Sequence, residues 1–138
     1  MSTVTSHLEE LSVRTARREE LIDITSLVRA AVRRTGVEHG VVYVYCPHTT
    51  AGITIQENAD PDVRTDLLAH LARVVPQEAG FRHGEGNADA HIKSTLTGSS
   101  QVVPLDGGKL CLGTWQALFF CEYDGPRSRR VLVKVIAG

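Results

Sequence analysis

Two polar stretches hold the groups that chemistry needs: FRHGEGNADAHIKS at residues 81–94 and PHTT at residues 47–50. The chain has six histidines. Three of them, His48, His83 and His91, fall outside any periodic apolar face, whereas His7, His39 and His70 read as incidental. Three imidazoles brought together suit a divalent transition metal such as zinc, with acids or water completing the coordination. The same rings suit acid and base work, because imidazole titrates near neutral pH. His48 is distant in sequence from the other two, so only the tertiary fold can unite them. Scattered, solvated loop residues are the plain alternative.

A second set of groups suits an anion. Lys93, Ser94, Thr49, Thr50 and Arg127 can face negative oxygens, with backbone amides at Gly84, Gly86 and Gly98 available in tight turns. Glu57 and Asn58 directly follow an apolar strand, a good position for a site. Asp62 either complements a helix dipole or serves as a ligand. Gln116 and Glu122 are polar residues in or near the end of a strand, and solvent exposure is the ordinary reading, more so for Glu122. A P-loop lysine motif, a serine-hydrolase elbow, a nicotinamide glycine fingerprint, paired-cysteine zinc spacing and a paired-aspartate magnesium motif are all missing from the sequence.

The elements that must position these groups follow from periodicity. Residues 8–17 read as a strand. A helix is expected over 23–35, with Ile24, Leu27, Val28, Ala31 and Val32 on one face, Asp23 as cap and Gly36 as a left-handed stop. Residues 40–46 and 51–57 read as two strands of one sheet, with PHTT as the polar turn between them. Asp60 and Pro61 mark a helix start. That helix runs to about Val74, with Val63, Leu67, Leu71 and Val74 on its apolar stripe, and Pro76 ends it. Residues 80–90 form a loop, and 91–96 make at most a helical turn. From 101 onward the pattern is antiparallel strands at 101–105, 109–112, 115–123 and 130–136, with turns at 106–108 and 124–126. The last strand, apolar on both faces apart from Lys134, suggests burial on both sides or in a subunit interface. The fold class expected is α+β: an antiparallel β-sandwich with a jelly-roll-like core and two main helices.

Composition bounds the rest. The 138 residues, 42% of them hydrophobic, suit a single domain over 1–138 with one core. With 15 basic against 16 acidic residues, no global field argues for nucleic acid or a membrane surface. No apolar run approaches the ~20 residues of a membrane span, and MSTVTSHLEEL lacks the regions of a secretory signal, so a cytoplasmic location is expected. Cys46, Cys111 and Cys121 stand singly in apolar runs and read as buried core residues in a reducing compartment.

Three motifs taken together, PHTTAGITIQENADPDV at 47–63, FRHGEGNADAHIKSTLTG at 81–98 and GTWQALFFCEYDGPRSRRVLV at 113–133, resemble the YjbQ-like family of small bacterial and archaeal proteins. The match runs in order over nearly the whole chain. The resemblance implies a jelly-roll-like α+β subunit, assembled as a homotrimer, with a site in which His48, His83 and His91 hold a divalent metal, zinc or magnesium. It also implies a weak activity of the thiamine-phosphate synthase type, coupling a pyrimidine diphosphate to a thiazole phosphate with loss of pyrophosphate. The catalytic positions carried over are His48, His83, His91 and Lys93. The substrate-binding positions are Thr49, Glu57, Asn58, Asp62, Ser94 and Gln116, with Arg127 as an anion contact. Phe81 stands where many relatives have tyrosine, and the loop between His83 and His91 is the short version. The alternative is a trimeric module that binds a metal or a small phosphorylated molecule and whose catalysis is incidental.

Overall fold

The computed structural model describes residues 5–138. Among these residues, eight strands form two antiparallel sheets: β1 Ser6–Arg14, β2 Glu20–Asp23, β3 Gly40–Tyr45, β4 Ala51–Glu57, β5 Ser100–Asp106, β6 Lys109–Leu110, β7 Gln116–Glu122 and β8 Ser128–Ala137. The larger sheet has the order β1-β8-β3-β5-β6 and the smaller β2-β7-β4. From β1 to β5 successive strands alternate between the sheets, which makes the sandwich jelly-roll-like, as expected. β3 and β4, expected side by side in one sheet, therefore lie in opposite sheets: β3 pairs with β5 and β8, β4 pairs with β7, and PHTT crosses between the layers. The inner faces meet in one apolar cluster, where Val42 and Val44 of β3 and Val131, Val133 and Val135 of β8 oppose Ile53, Leu118 and Phe120. Period-two alternation of valine on β8 builds this face, and the opposite face of β8 is only half covered.

Among the described residues there are three helices: α1 Thr25–Thr35, α2 Pro61–Val74 and α3 Ala88–Thr97. None is long and apolar enough to cross a membrane. α1 sends Val28, Ala31 and Val32 into the sandwich core and stops at Gly36 in the left-handed conformation. Asp23, expected as the helix cap, ends β2, and Ile24 takes the N-cap position. Asp23 still serves the helix start, because its Oδ1 accepts the Thr25 N–H at 2.9 Å. α2 begins as its sequence predicts, with the Asp60 carboxylate accepting from the Asp62 N–H and Pro61 at the first helical position. Its stripe differs from expectation: Leu67, Leu68 and Leu71 pack on a second cluster around Phe119 and Tyr123, while Val74 is exposed.

α3 is the element that periodicity missed. Its alternating small, acidic and basic residues give a weak apolar stripe, and ion pairing holds it more than apolar burial does. The C-terminal end of α3 approaches β4 so closely that a Cβ at Gly52 would lie 2.6 Å from the Gly98 carbonyl oxygen. Only glycine fits there. The cysteine expectation is corrected at one position: Cys46 and Cys121 are buried, but Cys111 is exposed just beyond the short strand β6.

Candidate functional site

β3 and β8 pair antiparallel with Tyr45 opposite Leu132. The end of one strand and the start of the other therefore fall together, and PHTT lies beside residues 124–130. The N-terminal end of α3 closes the third side. The resulting cavity, ≈ 390 Å³, is lined by His48, Thr49, Glu85, Asn87, His91, Asp124, Arg127 and Arg129 among others. Its size is that of a small-molecule site.

Behind the cavity is a buried ion pair. Arg129 Nε donates to Glu122 Oε1 at 2.8 Å, and its Nη2 donates to Glu122 Oε2 and, at 2.8 Å, to Thr50 Oγ1. Thr15 Oγ1 donates to the same carboxylate at 2.8 Å, and the Asp124 N–H donates at 3.1 Å. Burial raises the Glu122 pKa, but Arg129, the Asp124 amide and the Thr15 hydroxyl outweigh it, and the carboxyl sits below its ordinary value. Glu122 thus does not face solvent, contrary to the strand-end reading; it is fully buried. Arg129 shares the core-facing parity of Val131, Val133 and Val135, and an arginine on that face requires a buried acid. That parity is the signal in the sequence that marks both residues.

Nearer the opening, Arg127 Nη2 and Asn87 Nδ2 both donate to Asp124 Oδ2 at 2.9 Å. Arg127 is about half exposed and keeps donors for an incoming oxygen. Asn87 Oδ1 is the buried side-chain atom without a hydrogen-bond partner among the described residues, a desolvation cost of about 1–3 kcal/mol held at the cavity wall. His48 Nε2 accepts the Arg130 backbone N–H at 2.9 Å. Burial first, then the charges of Arg129 and Arg130, hold its pKa below the ordinary imidazole value. A neutral ring with Nε2 accepting carries its proton on Nδ1, so His48 is a donor at that atom.

His91 packs edge-on against His83, with ring centroids 5.2 Å apart, and Glu85 Oε2 lies 3.9 Å from His83 Nε2. The three imidazoles are therefore not gathered alike. His83 and His91 are neighbours, while the Nε2 lone pair of His48 is already engaged. No group of three or more His, Cys, Asp or Glu side chains in metal-holding arrangement occurs among the described residues. Of the three histidines, the structure brings His83 and His91 together and holds His48 in a separate hydrogen bond to the Arg130 backbone.

The other candidates divide. Thr49 and Arg127 line the cavity with His48 and His91. Lys93 does not: it is 1% exposed, with Nζ donating to Asp89 at 2.9 Å and to Glu19 at 3.0 Å. Arg18 grips the same Asp89 with both terminal nitrogens, at 3.0 and 3.2 Å. Burial pushes the Asp89 pKa up, but Arg18 and Lys93 prevail and hold it low. Ser94 Oγ donates to the Ala51 carbonyl at 2.7 Å, tying α3 to β4. Glu57, Asn58 and Asp62 sit at the start of α2, where Asn58 Nδ2 donates to Asp23 at 2.8 Å. Gln116 is exposed and accepts the Gly113 N–H at 2.8 Å. Ser94, Glu57, Asn58, Asp62 and Gln116 all lie outside the cavity lining. Asn87, Asp124 and Arg129 do line it and were not among the candidates; Asn87 and Asp124 are ordinary loop and turn residues by sequence, so nothing in their spacing marks them.

A family model described as UPF0047 protein YjbQ-like matches residues 9–138. UPF0047 protein YugU of Bacillus subtilis is 51% identical over 94% of the chain and 98% of its own length. A UPF0047 protein of Methanocaldococcus jannaschii is 50% identical over 94% of each. Among solved structures, a YjbQ/UPF0047 family protein of Clostridium acetobutylicum, described as uncharacterized, superposes with a TM-score of 0.91 at 54% identity, covering 93% of the chain and 99% of that protein. A protein of unknown function from Sulfolobus solfataricus superposes at 0.92 with 32% identity, covering 96% and 98%.

Proposed function

The chain belongs to the YjbQ-like UPF0047 family, and from that we propose that the cavity between PHTT, the start of β8 and the N-terminal end of α3 binds a small phosphorylated molecule. One observation carries the reading: a half-exposed arginine, Arg127, lines one ≈ 390 Å³ cavity with a neutral histidine whose free N–H is at Nδ1. Guanidinium and imidazole N–H groups are donors without competing acceptor atoms, a set suited to phosphate oxygens. The start of α3 adds its dipole to the same wall.

The reaction we propose for this site is the coupling that the family resemblance implies: a pyrimidine diphosphate joined to a thiazole phosphate with release of pyrophosphate. As the bond to the diphosphate breaks, negative charge gathers on the leaving oxygen, and Arg127 with the His48 Nδ1–H supplies fixed donors for it. As the thiazole nitrogen bonds to the carbon that loses pyrophosphate, His91, in the same wall, is the residue we assign to donating a proton to the leaving pyrophosphate oxygen. Lys93 has no part in phosphate contact in this scheme, because its ammonium is used by Asp89 and Glu19. Incubation with the two precursors should give thiamine phosphate, and Arg127→Ala and His91→Ala should each lower the rate at least tenfold while leaving the melting curve intact. Wild-type rates in both variants would remove the assignment.

A second reading, a binding module with incidental catalysis, is favoured by Asp124 and Glu85, whose carboxylates share the cavity and offset part of its positive charge. It calls for stoichiometric phosphate-ester binding without turnover. For either reading we propose a homotrimer that covers the exposed outer face of the larger sheet, where Tyr43, Tyr45, Val102 and Leu8 stand in water. Sedimentation at micromolar concentration tests it, and a monomer there would contradict it.

A further inference from the structure

The opposite end of the larger sheet has a cleft with a different chemistry. The β5–β6 hairpin turns at Gly107 and Gly108 beside α1, enclosing ≈ 490 Å³. β3 separates this cleft from the first cavity. Gly40 at its start pairs with Leu105, and Tyr45 at its other end pairs with Ser100. Six strand residues span roughly 20 Å, so the two cavities are distinct.

Three cations line the cleft. Arg29 and Arg33 are one turn apart on α1, and Lys109 faces them from the hairpin. All three are exposed, and none is within ion-pair distance of a described carboxylate. The acid next to the hairpin turn, Asp106, is occupied: it meets His39 Nδ1 at 2.9 Å. Arg18, Arg127, Arg129 and Arg130, by contrast, each meet a carboxylate. Like charges at this helical spacing repel, and a third cation opposite adds to the repulsion. The floor is apolar, made by Val32 and Leu110.

We propose that this cleft is a binding site for a small organic phosphate with an apolar body, the phosphate held by Arg29, Arg33 and Lys109 and the body resting on Val32 and Leu110. Two guanidiniums and an ammonium suit a dianion, which a monocarboxylate does not provide. The small size of the cleft and the net charge of -1 for the whole chain do not suit a polymer such as nucleic acid.

Phenyl phosphate is the probe. Titrated into the full-length 15N-labelled protein, it should shift the amide signals of Gly107, Gly108 and Lys109, and bind at least tenfold more tightly than inorganic phosphate because of the buried ring. Arg33→Glu, and separately Lys109→Glu, should weaken it at least tenfold with unchanged circular dichroism melts; both are surface residues. Arg127→Ala, in the other cavity, should leave these shifts unchanged. Shifts confined to residues 47–50 and 124–130, equal affinity for inorganic phosphate, or wild-type affinity in both charge-reversal variants would overturn the proposal. Vesicles of phosphatidic acid distinguish a lipid headgroup: the protein should stay in the supernatant, and co-sedimentation lost in Arg33→Glu would overturn the assignment to a free organic phosphate.

Discussion

Replacing Arg129 with methionine removes the guanidinium that answers Glu122 while keeping an apolar stem of similar length. The pair is 5% and 0% exposed. The substitution takes away both bonds from Arg129 to the carboxylate and the one to Thr50 Oγ1, leaving Glu122 with the Thr15 hydroxyl and the Asp124 amide. Removing one partner of a buried ion pair costs about 3–5 kcal/mol. At ~3 °C per kcal/mol for a domain of this size, Tm should fall by ~10–15 °C. The pH dependence has a definite sign. In the wild-type protein the Glu122 carboxyl is depressed, so its contribution is present above the unfolded value near ~4.3 and is lost as pH falls through the folded value. Without Arg129, burial dominates and the folded value rises above the unfolded one. The variant is then penalised at neutral pH and relieved as a proton occupies the carboxylate. Circular dichroism melts of the two proteins should converge between about pH 7 and about pH 4. Adding Glu122→Gln to Arg129→Met should recover most of the loss at neutral pH. A gap in Tm that stays constant with pH, or a double variant no more stable than the single one, would refute the reasoning.

Three further outcomes are expected. Lys93→Met should destabilise the fold by about 3 kcal/mol, read in urea unfolding, yet leave pyrophosphate affinity unchanged in the folded protein. His48 is depressed chiefly by burial, so the unfolded chain binds a proton first and stability falls as pH drops below about 6.5. His48→Gln, which can still accept from the Arg130 N–H, should flatten that slope in melts between about pH 7 and about pH 5. Ellman's reagent should find one reactive thiol per native chain, Cys111, because Cys46 is buried and burial pushes the Cys121 thiol up to about 12; Cys111→Ser should abolish the fast reaction.

Much of the fold was legible because the strands write their register into alternation, as β8 does with Val131, Val133 and Val135, and because Asp60 and Pro61 announce the start of α2. α3 was not legible. Its stability comes from Lys93, Asp89, Arg18 and Glu19, and an ion-pair cluster that closes between distant parts of the chain has no period to detect. β2, only four residues long, is too short to alternate convincingly. At the candidate site, polar side chains in turns are visible as types, and four of those singled out, His48, Thr49, His91 and Arg127, line one cavity. Lys93 and Ser94 have the same polar character but point into structural bonds, a distinction that depends on which side of α3 they occupy. Glu57, Asn58, Asp62 and Gln116 fall away from the cavity because the smaller sheet carries them to its far end. Arg129 was the missed opportunity: the alternation of β8 alone puts its charge at core parity.

The central claim is tested most directly by a crystal structure of the protein grown with pyrophosphate. Density for the anion is expected between the Arg127 guanidinium and His48 Nδ1, with the Lys93 to Asp89 bond intact. An anion seated instead at the start of α2, or bound to a Lys93 that has left Asp89, would contradict the account.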